Sequence, residues 1–198
     1  MQDLGTLGGL RSEARGVSAD GRVVVGWAET ASGWARAFRW ENGVMQDLGT
    51  LGGYWSYAYG VSADGRVVVG RAYTRSGLSS FRWIEGQGMR NLNQEFASLL
   101  TNGSYLKVAY STSLDGRYIV GYGYNAATRR GEPFLLDTWR EGDTNGDGCI
   151  NNTDLLNVLF AFGTPGTGYT RHEDINKDGI VNNADLLTVL LNFGHGCQ

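Results

Sequence analysis

Residues 1–136 of this chain contain no histidine; the two it has, His172 and His195, lie near its end. That removes the usual general base, and any Ser-His-Asp arrangement, from the larger part of the molecule. Cysteine is confined to Cys149 and Cys197, with no CxxC spacing, so neither a zinc site nor a dithiol redox site is expected. Lysine is almost missing, two residues against fifteen arginines. Gly-rich stretches such as GTLGG (49–53) therefore lack the lysine of a phosphate loop, and the helix that should follow it. The arginines are spread along the chain and form no patch, which argues against nucleic acid. No apolar run approaches the roughly eighteen residues of a membrane-spanning helix. The opening MQDLGTLGG has neither the basic nor the apolar region of a signal peptide. Paired carboxylates remain open as a hydrolytic device, but the recurrent acids Asp20, Asp64 and Asp115 occupy turn positions and are read as structural.

What is present divides unevenly. Residues 1–136 carry 14 basic and 11 acidic side chains, a balance of +3, whereas residues 137–198 carry 3 basic and 9 acidic, a balance of −6. The apolar runs LLNVLFAF and LLTVLLNF show that this acidic tail is folded and not merely solvating, so its acids have another role.

The larger part is a repeat. MQDLGTLGG (1–9) returns at 45–53, GVSADGRVVVG (16–26) returns unchanged at 60–70, and AFRW (37–40) returns as SFRW (80–83). A third, degraded copy has MRNL (89–92), TSLDGRYIVG (112–121) and EPFLLD (132–137), with about seven residues gained. Asp-Gly between apolar runs predicts hairpins, because the turn needs positive φ. Four strands in some 44 residues is the size of a propeller blade. The fold class expected is a mainly β repeat array of propeller-like blades, copies 1–44, 45–88 and 89–137, followed by a short linker (138–141) and a small helical domain (142–198). A β-solenoid is the alternative; the hairpins favour antiparallel pairing and hence blades. Val23, Val25, Val67, Val69, Ile119, Phe38, Phe81 and Phe134 are expected to point inward at equivalent positions. Most Trp and Tyr are read as packing, with Tyr54, Trp55, Tyr57 and Tyr59 as the candidates for a sugar-binding surface. Met1, Met45 and Met89 align in mid-repeat, so the chain is expected to be part of a longer secreted array, or else a short chain that closes by self-association.

These motifs resemble the HAF-type extracellular repeat family over residues 1–137. The resemblance implies an extracellular β-repeat array with no chemistry attached to its motif.

DTNGDGCINNTDLL (143–156) and DINKDGIVNNADLL (174–187) put side-chain oxygens at alternate positions, a glycine at position 6 and a carboxylate at position 12. That is the order in which a hard cation such as Ca²⁺ takes its oxygens from a twelve-residue loop. The candidate ligands are Asp143, Asn145, Asp147, the Cys149 carbonyl, Asn151 and Asp154 in the first loop. In the second they are Asp174, Asn176, Asp178, the Ile180 carbonyl, Asn182 and Asp185. Two calcium ions are expected. Position 8, Ile150 or Val181, is read as the apolar spot where paired loops touch. A helix should leave each loop and none should enter it.

A loop–helix unit duplicated at a spacing of 31, with Asp at position 12 and Asp-Leu-Leu at its end, resembles a dockerin type I module. The resemblance implies docking onto a cohesin-like partner or a cell-surface component. It assigns partner recognition to Asn152, Thr153, Leu159 and Phe160, and to Asn183, Ala184, Leu190 and Leu191, although the apolar pair in each set also reads as core. A Cys149–Cys197 bridge would tie the ends of the tail together, closing about 48 residues and stabilising by roughly 4 kcal/mol. The expected function is therefore a secreted, non-catalytic interaction or attachment protein. The alternative is a component of a polysaccharide-degrading protein whose catalytic part lies elsewhere.

Overall fold

The computed structural model describes residues 1–166 and 172–196. The chain divides into two compact units, Met1–Asp137 and Thr138–Gln198.

The first unit holds three antiparallel sheets. The first is β1 (Gly8–Val17), β2 (Val23–Thr30), β3 (Ala35–Glu41) and β4 (Val44–Asp47), adjacent in that order. The second repeats it with β5 (Ser56–Val61), β6 (Val67–Thr74), β7 (Gly77–Ile84) and β8 (Gly88–Asn91). The third has three strands, β9 (Tyr105–Thr112), β10 (Tyr118–Asn125) and β11 (Arg130–Asp137), with β10 in the middle. Every ladder between these strands is antiparallel and joins neighbours in sequence, as blades require; a solenoid would pair successive repeats in parallel. The residues gained by the third copy are not strand. They form a short helix α1 (Leu92–Glu95), capped by Asn91, whose side chain accepts from Asn93 N, and a 3-10 turn (Ala97–Leu99).

The Asp-Gly hairpins have a common device. Ser18 Oγ donates to Asp20 Oδ1 at 2.6 Å and accepts from Val23 N at 2.9 Å, while Asp20 accepts from Arg22 N and Gly21 takes φ +74°. The same bonds recur at Ser62, Asp64 and Val67, and at Ser113, Asp115 and Tyr118. These turns also link the sheets: Ala19 N donates to Ala63 O at 3.0 Å, and Ala63 N donates to Leu114 O at 2.8 Å.

Each sheet has a near face toward the chain start and a far face toward the next sheet. Val23, Val25 and Ala37 on the far face of the first sheet join Val68, Ala72, Phe81 and Trp83 on the near face of the second in one core. Val67 and Val69 similarly meet Ile119, Phe134 and Leu136 of the third. Ile119 is not equivalent to Val67 and Val69, contrary to the expectation from the sequence. It aligns instead with Val68 and lies on the near face, because the two faces of a strand alternate and the third copy has Tyr118 and Val120 at the far-face positions. Phe38, Phe81 and Phe134 all occupy near faces.

In the second unit, α2 (Asn152–Ala161) follows the first acidic loop and α3 (Asn183–Leu191) the second. Each begins with a capping box. Asn151 and Asn182 are the caps, and Asp154 and Asp185, three residues on, accept from the cap backbone N–H. Ile150, Val158, Val181 and Val189 form the core. The segment read as a linker belongs to this unit: Thr138 is buried, and the Trp139 ring lies 3.9 Å from that of His172.

Candidate functional site

The two acidic loops share most of their hydrogen bonds at the 31-residue spacing. Asp143 Oδ2 accepts from Gly148 N at 2.9 Å, and Asp174 Oδ2 from Gly179 N at 3.1 Å. Asn145 Oδ1 accepts from Asp147 N as Asn176 Oδ1 does from Asp178 N. Asp147 and Asp178 accept from the amides of Cys149 and Ile180. Asn151 and Asn182 reach back with Nδ2 to the carbonyls of Cys149 and Ile180. Amides turned onto each side-chain oxygen give the backbone the tight coil that an Asp-x-Asn-x-Asp-Gly spacing encodes.

Positions 1 and 12 are buried in both loops, while positions 3 and 5 are half-buried or exposed. Burial pushes the Asp143 carboxyl up to about 6, opposed by the amides of Gly148 and Gly146 and reinforced by the nearby Asp154 and Asp147 carboxylates. Its counterpart, Asp174, is buried with Oδ1 lacking any hydrogen-bond partner. The reason is visible at position 4. Gly146 N donates to Asp143 Oδ1 at 2.7 Å, but no equivalent bond is made from Lys177, although both residues hold the left-handed conformation, at φ +72° and +61°. A buried carboxylate oxygen without a donor has nothing in the described structure to offset its loss of water.

Asp154 and Asp185 sit differently from the other candidates. Asp154 Oδ1 accepts from Thr144 N and Asn145 N, and its Oδ2 from Asn151 N. Asp185 does the same with Ile175, Asn176 and Asn182. The position-12 carboxylates thus tie each loop to its helix. Among the described residues no three His, Cys, Asp or Glu side chains converge on one point. The donor chemistry is nevertheless all hard oxygen, from carboxylate, amide and backbone carbonyl, which suits Ca²⁺ and not a softer metal.

Position 8 does not join loop to loop through the backbone. Val181 pairs with the segment after α2, giving Gly163 N to Val181 O at 2.8 Å and Val181 N to Thr164 O at 3.1 Å. Ile150 pairs with the segment after α3, giving Gly194 N to Ile150 O at 2.7 Å and Ile150 N to His195 O at 3.0 Å. Each helix is followed by a segment that clamps the other loop, and the side chains of Ile150 and Val181 meet in the core. Sequence reasoning missed these clamps; the glycines at 163 and 194, again 31 apart, were the available signal.

The eight positions assigned to partner recognition, Asn152, Thr153, Leu159, Phe160, Asn183, Ala184, Leu190 and Leu191, are all exposed. Leu159, Phe160, Leu190 and Leu191 are therefore not core. Phe160 is 84% and Leu191 73% exposed, because Val158 and Val189 take the inward turn of each helix. With Leu156 and Leu187 they make an apolar stripe on each helix at spacing i, i+3, i+4. Cys149 is disulfide-bonded; the one other cysteine, Cys197, lies outside the described residues.

In the first unit Trp34, Tyr54, Trp55 and Tyr73 form an aromatic patch. Trp34 and Tyr54 stack at 4.7 Å, and Trp55 meets both edge-on. Tyr54 is 60% exposed. Tyr57 and Tyr59 instead face Arg71, whose guanidinium lies 4.9 Å and 5.8 Å from their ring centres.

No protein-family model matches the chain, and no curated protein matches it in sequence. Among solved structures it is similar to a putative TolB from Agrobacterium tumefaciens, with 17% identity, TM-score 0.44, and coverage of 65% of this chain and 46% of that one. It is similar too to TolB from Acinetobacter baumannii, with 15% identity, TM-score 0.43, and coverage of 70% and 36%. The chain spans less than half the length of either. Among the described residues no helix is long and apolar enough to cross a membrane.

Proposed function

We propose that this chain is a secreted, non-catalytic interaction protein in which a calcium-stabilised, dockerin-like module carries a β-repeat display surface. The observation that carries the reading is the residue-by-residue duplication of the two loops, with a buried, unpartnered Asp174 Oδ1 in one and a carboxyl raised by burial at Asp143 in the other. Asp143, Asn145, Asp147, the Cys149 carbonyl, Asn151 and Asp154 would hold one ion; Asp174, Asn176, Asp178, the Ile180 carbonyl, Asn182 and Asp185 would hold the second. The ion would supply positive charge beside the buried Asp143 and Asp174 carboxylates. The exposed stripes on α2 and α3 are the docking surface for a cohesin-like protein or cell-surface component, and their repetition offers two equivalent faces. The bonded Cys149 favours an oxidising compartment. The aromatic patch around Trp34 and Tyr54 is where we place a polysaccharide ligand of the display surface.

Calorimetry tests the core of this reading. Two Ca²⁺ ions per chain are expected, with Asp143→Ala and Asp174→Ala each losing one and Glu173→Ala losing none. A chelator should abolish most of the helix signal and leave the β signal standing, since site formation and folding are coupled in so small a unit. A chain that binds no calcium and keeps its helices in chelator would end the proposal.

A further inference from the structure

Where the repeats agree they build the fold; where they differ, a surface can be specific. GVSADGRVVVG is identical at 16–26 and 60–70, but the positions flanking it are not. The first copy has Glu13, Arg15 and Trp27, the second has Tyr57, Tyr59 and Arg71 in their places, and the third has Val108, Tyr110 and Tyr122. The ladders set Glu13 opposite Trp27, Tyr57 opposite Arg71 and Val108 opposite Tyr122. The first strands of the three sheets also come close together. A Cβ on Gly16 would stand 3.3 Å from Tyr59 O, and one on Gly60 would stand 3.1 Å from Tyr110 O. Side chains outside the repeated motif are thereby gathered into one cluster. Tyr59 meets Tyr110 edge-on at 5.8 Å, Trp27 meets Tyr57 edge-on at 5.9 Å, and the Arg15 guanidinium lies 4.8 Å from the Tyr59 ring centre.

Arg71 joins the rings of Tyr57 and Tyr59 in this cluster. The buried arginines Arg39 and Arg82 face carboxylates, at Glu41 and Glu95. Arg71 forms no ion pair among the described residues, and its Nε is buried without a hydrogen-bond partner. The acid of the cluster, Glu13, is engaged by Arg15 at 3.0 Å and by Trp27 Nε1 at 3.1 Å. Ring faces hold a guanidinium through its charge, and no oxygen of the described residues accepts from its N–H groups. The cluster is also continuous with the Trp34–Tyr54 patch. Trp55 and Tyr57 stand two residues apart on one strand, and Tyr73 and Arg71 two apart on its neighbour, so these side chains share a face. Trp55 meets Tyr73 edge-on at 5.4 Å. From Trp55 to Tyr59 the surface follows roughly 13 Å of strand, which suits a chain of sugars better than a lone ion.

We propose that the ligand of this surface is an acidic polysaccharide, with sugar faces on the aromatic rings and a carboxylate or sulfate group on Arg71. This rests on the reading that the Trp34–Tyr54 patch binds polysaccharide, and adds the charge class of the ligand. Aromatic rings offer broad apolar faces to the C–H faces of sugars. The guanidinium offers a fork of donors to an oxyanion. Arg15, already paired with Glu13, contributes less than Arg71. The excess of basic over acidic side chains in residues 1–136, 14 against 11, favours the approach of a polyanion.

Calorimetry on the full chain reads the outcome, with four soluble probes: short oligogalacturonate, its methyl ester, dextran sulfate and dextran. Oligogalacturonate or dextran sulfate should bind, the tighter of them naming the anionic group, and each uncharged counterpart should bind at least about tenfold more weakly. Arg71→Gln should weaken the acidic ligand about tenfold and leave the uncharged ones unchanged, and Arg71→Lys should lose less. Tyr54→Ala should weaken all of them, and every variant should keep the β signal in circular dichroism. Equal binding of charged and uncharged sugars, with Arg71→Gln without effect, overturns this inference and leaves the aromatic patch a sugar site. Arg71→Gln weakening every ligand alike overturns it too, as does single-stranded DNA binding as tightly as the acidic sugars. Binding of none of the four probes overturns both the inference and the reading beneath it.

Discussion

Gly65 lies so close under Val23 that a Cβ at residue 65 would come within 2.5 Å of Val23 Cγ2. Gly116 stands in the same relation to Val67, at 2.7 Å, one sheet further on. Gly21, the first member of the series, has the same φ of +74° as Gly65 but nothing within 4 Å. Gly21→Ala should therefore cost only the left-handed backbone, about 1 kcal/mol. Gly65→Ala adds an overpacked contact between sheets and should cost about 3 kcal/mol. Urea unfolding of the two variants measures the difference. Equal losses would mean that the sheets do not stack as described.

Arg82 is 3% exposed and forms a paired ion bridge with Glu95, Nε to Oε2 at 2.9 Å and a shorter bond from the second nitrogen to Oε1. Glu95→Ala leaves a buried guanidinium uncompensated and should cost about 3–5 kcal/mol. Replacing both with leucine should cost less than Glu95→Ala alone. The more open Arg117–Asp137 pair should contribute below about 1 kcal/mol, and less in high salt. Chemical denaturation of variants at both pairs gives the ranking.

The acids of the second loop should separate into two kinds at saturating calcium. Asp185 is 0% exposed and accepts three backbone amides, so Asp185→Ala should lower the stability of the helical unit by about 3 kcal/mol, and excess calcium should not restore it. Asp178 is exposed, and its carboxyl is held below the usual range by the side chain of Asn176 and then the amide of Ile180. Asp178→Ala should weaken calcium binding and regain the wild-type melting temperature when calcium is in excess. Thermal melts across a calcium titration decide between this and a uniform role.

On the helices, burial sets the expected ranking. Val158 is 0% exposed, and Val158→Ala should cost about 2 kcal/mol; Phe160, 84% exposed, should tolerate serine within about 0.5 kcal/mol. If Phe160→Ser destabilises as much as Val158→Ala, the stripe is packing and not a docking surface.

The Asp-Gly turns at Asp20, Asp64 and Asp115 were legible in the amino-acid order, because each is closed by bonds among residues within five positions; the capping boxes at Asn151–Asp154 and Asn182–Asp185 are equally local but were read only as metal ligands. Periodicity likewise sufficed for the strand and helix types and for the 31-residue duplication. Contacts between distant segments carry no such local mark. The glycines at 163 and 194 repeat at the 31-residue spacing, but that spacing alone does not say that Gly163 clamps Val181 while Gly194 clamps Ile150, or that Lys177 leaves Asp174 Oδ1 without an amide. The apolar pairs Leu159–Phe160 and Leu190–Leu191 read equally well as core or surface in the sequence; in the fold Val158 and Val189 fill the interior and leave them outside. Val120 and Val69 stand at one position of the same motif, and only the presence of a following sheet on one of them made it core. Local bonding follows from the sequence because its partners are near along the chain; burial depends on which surfaces meet, and the tertiary structure alone decided that.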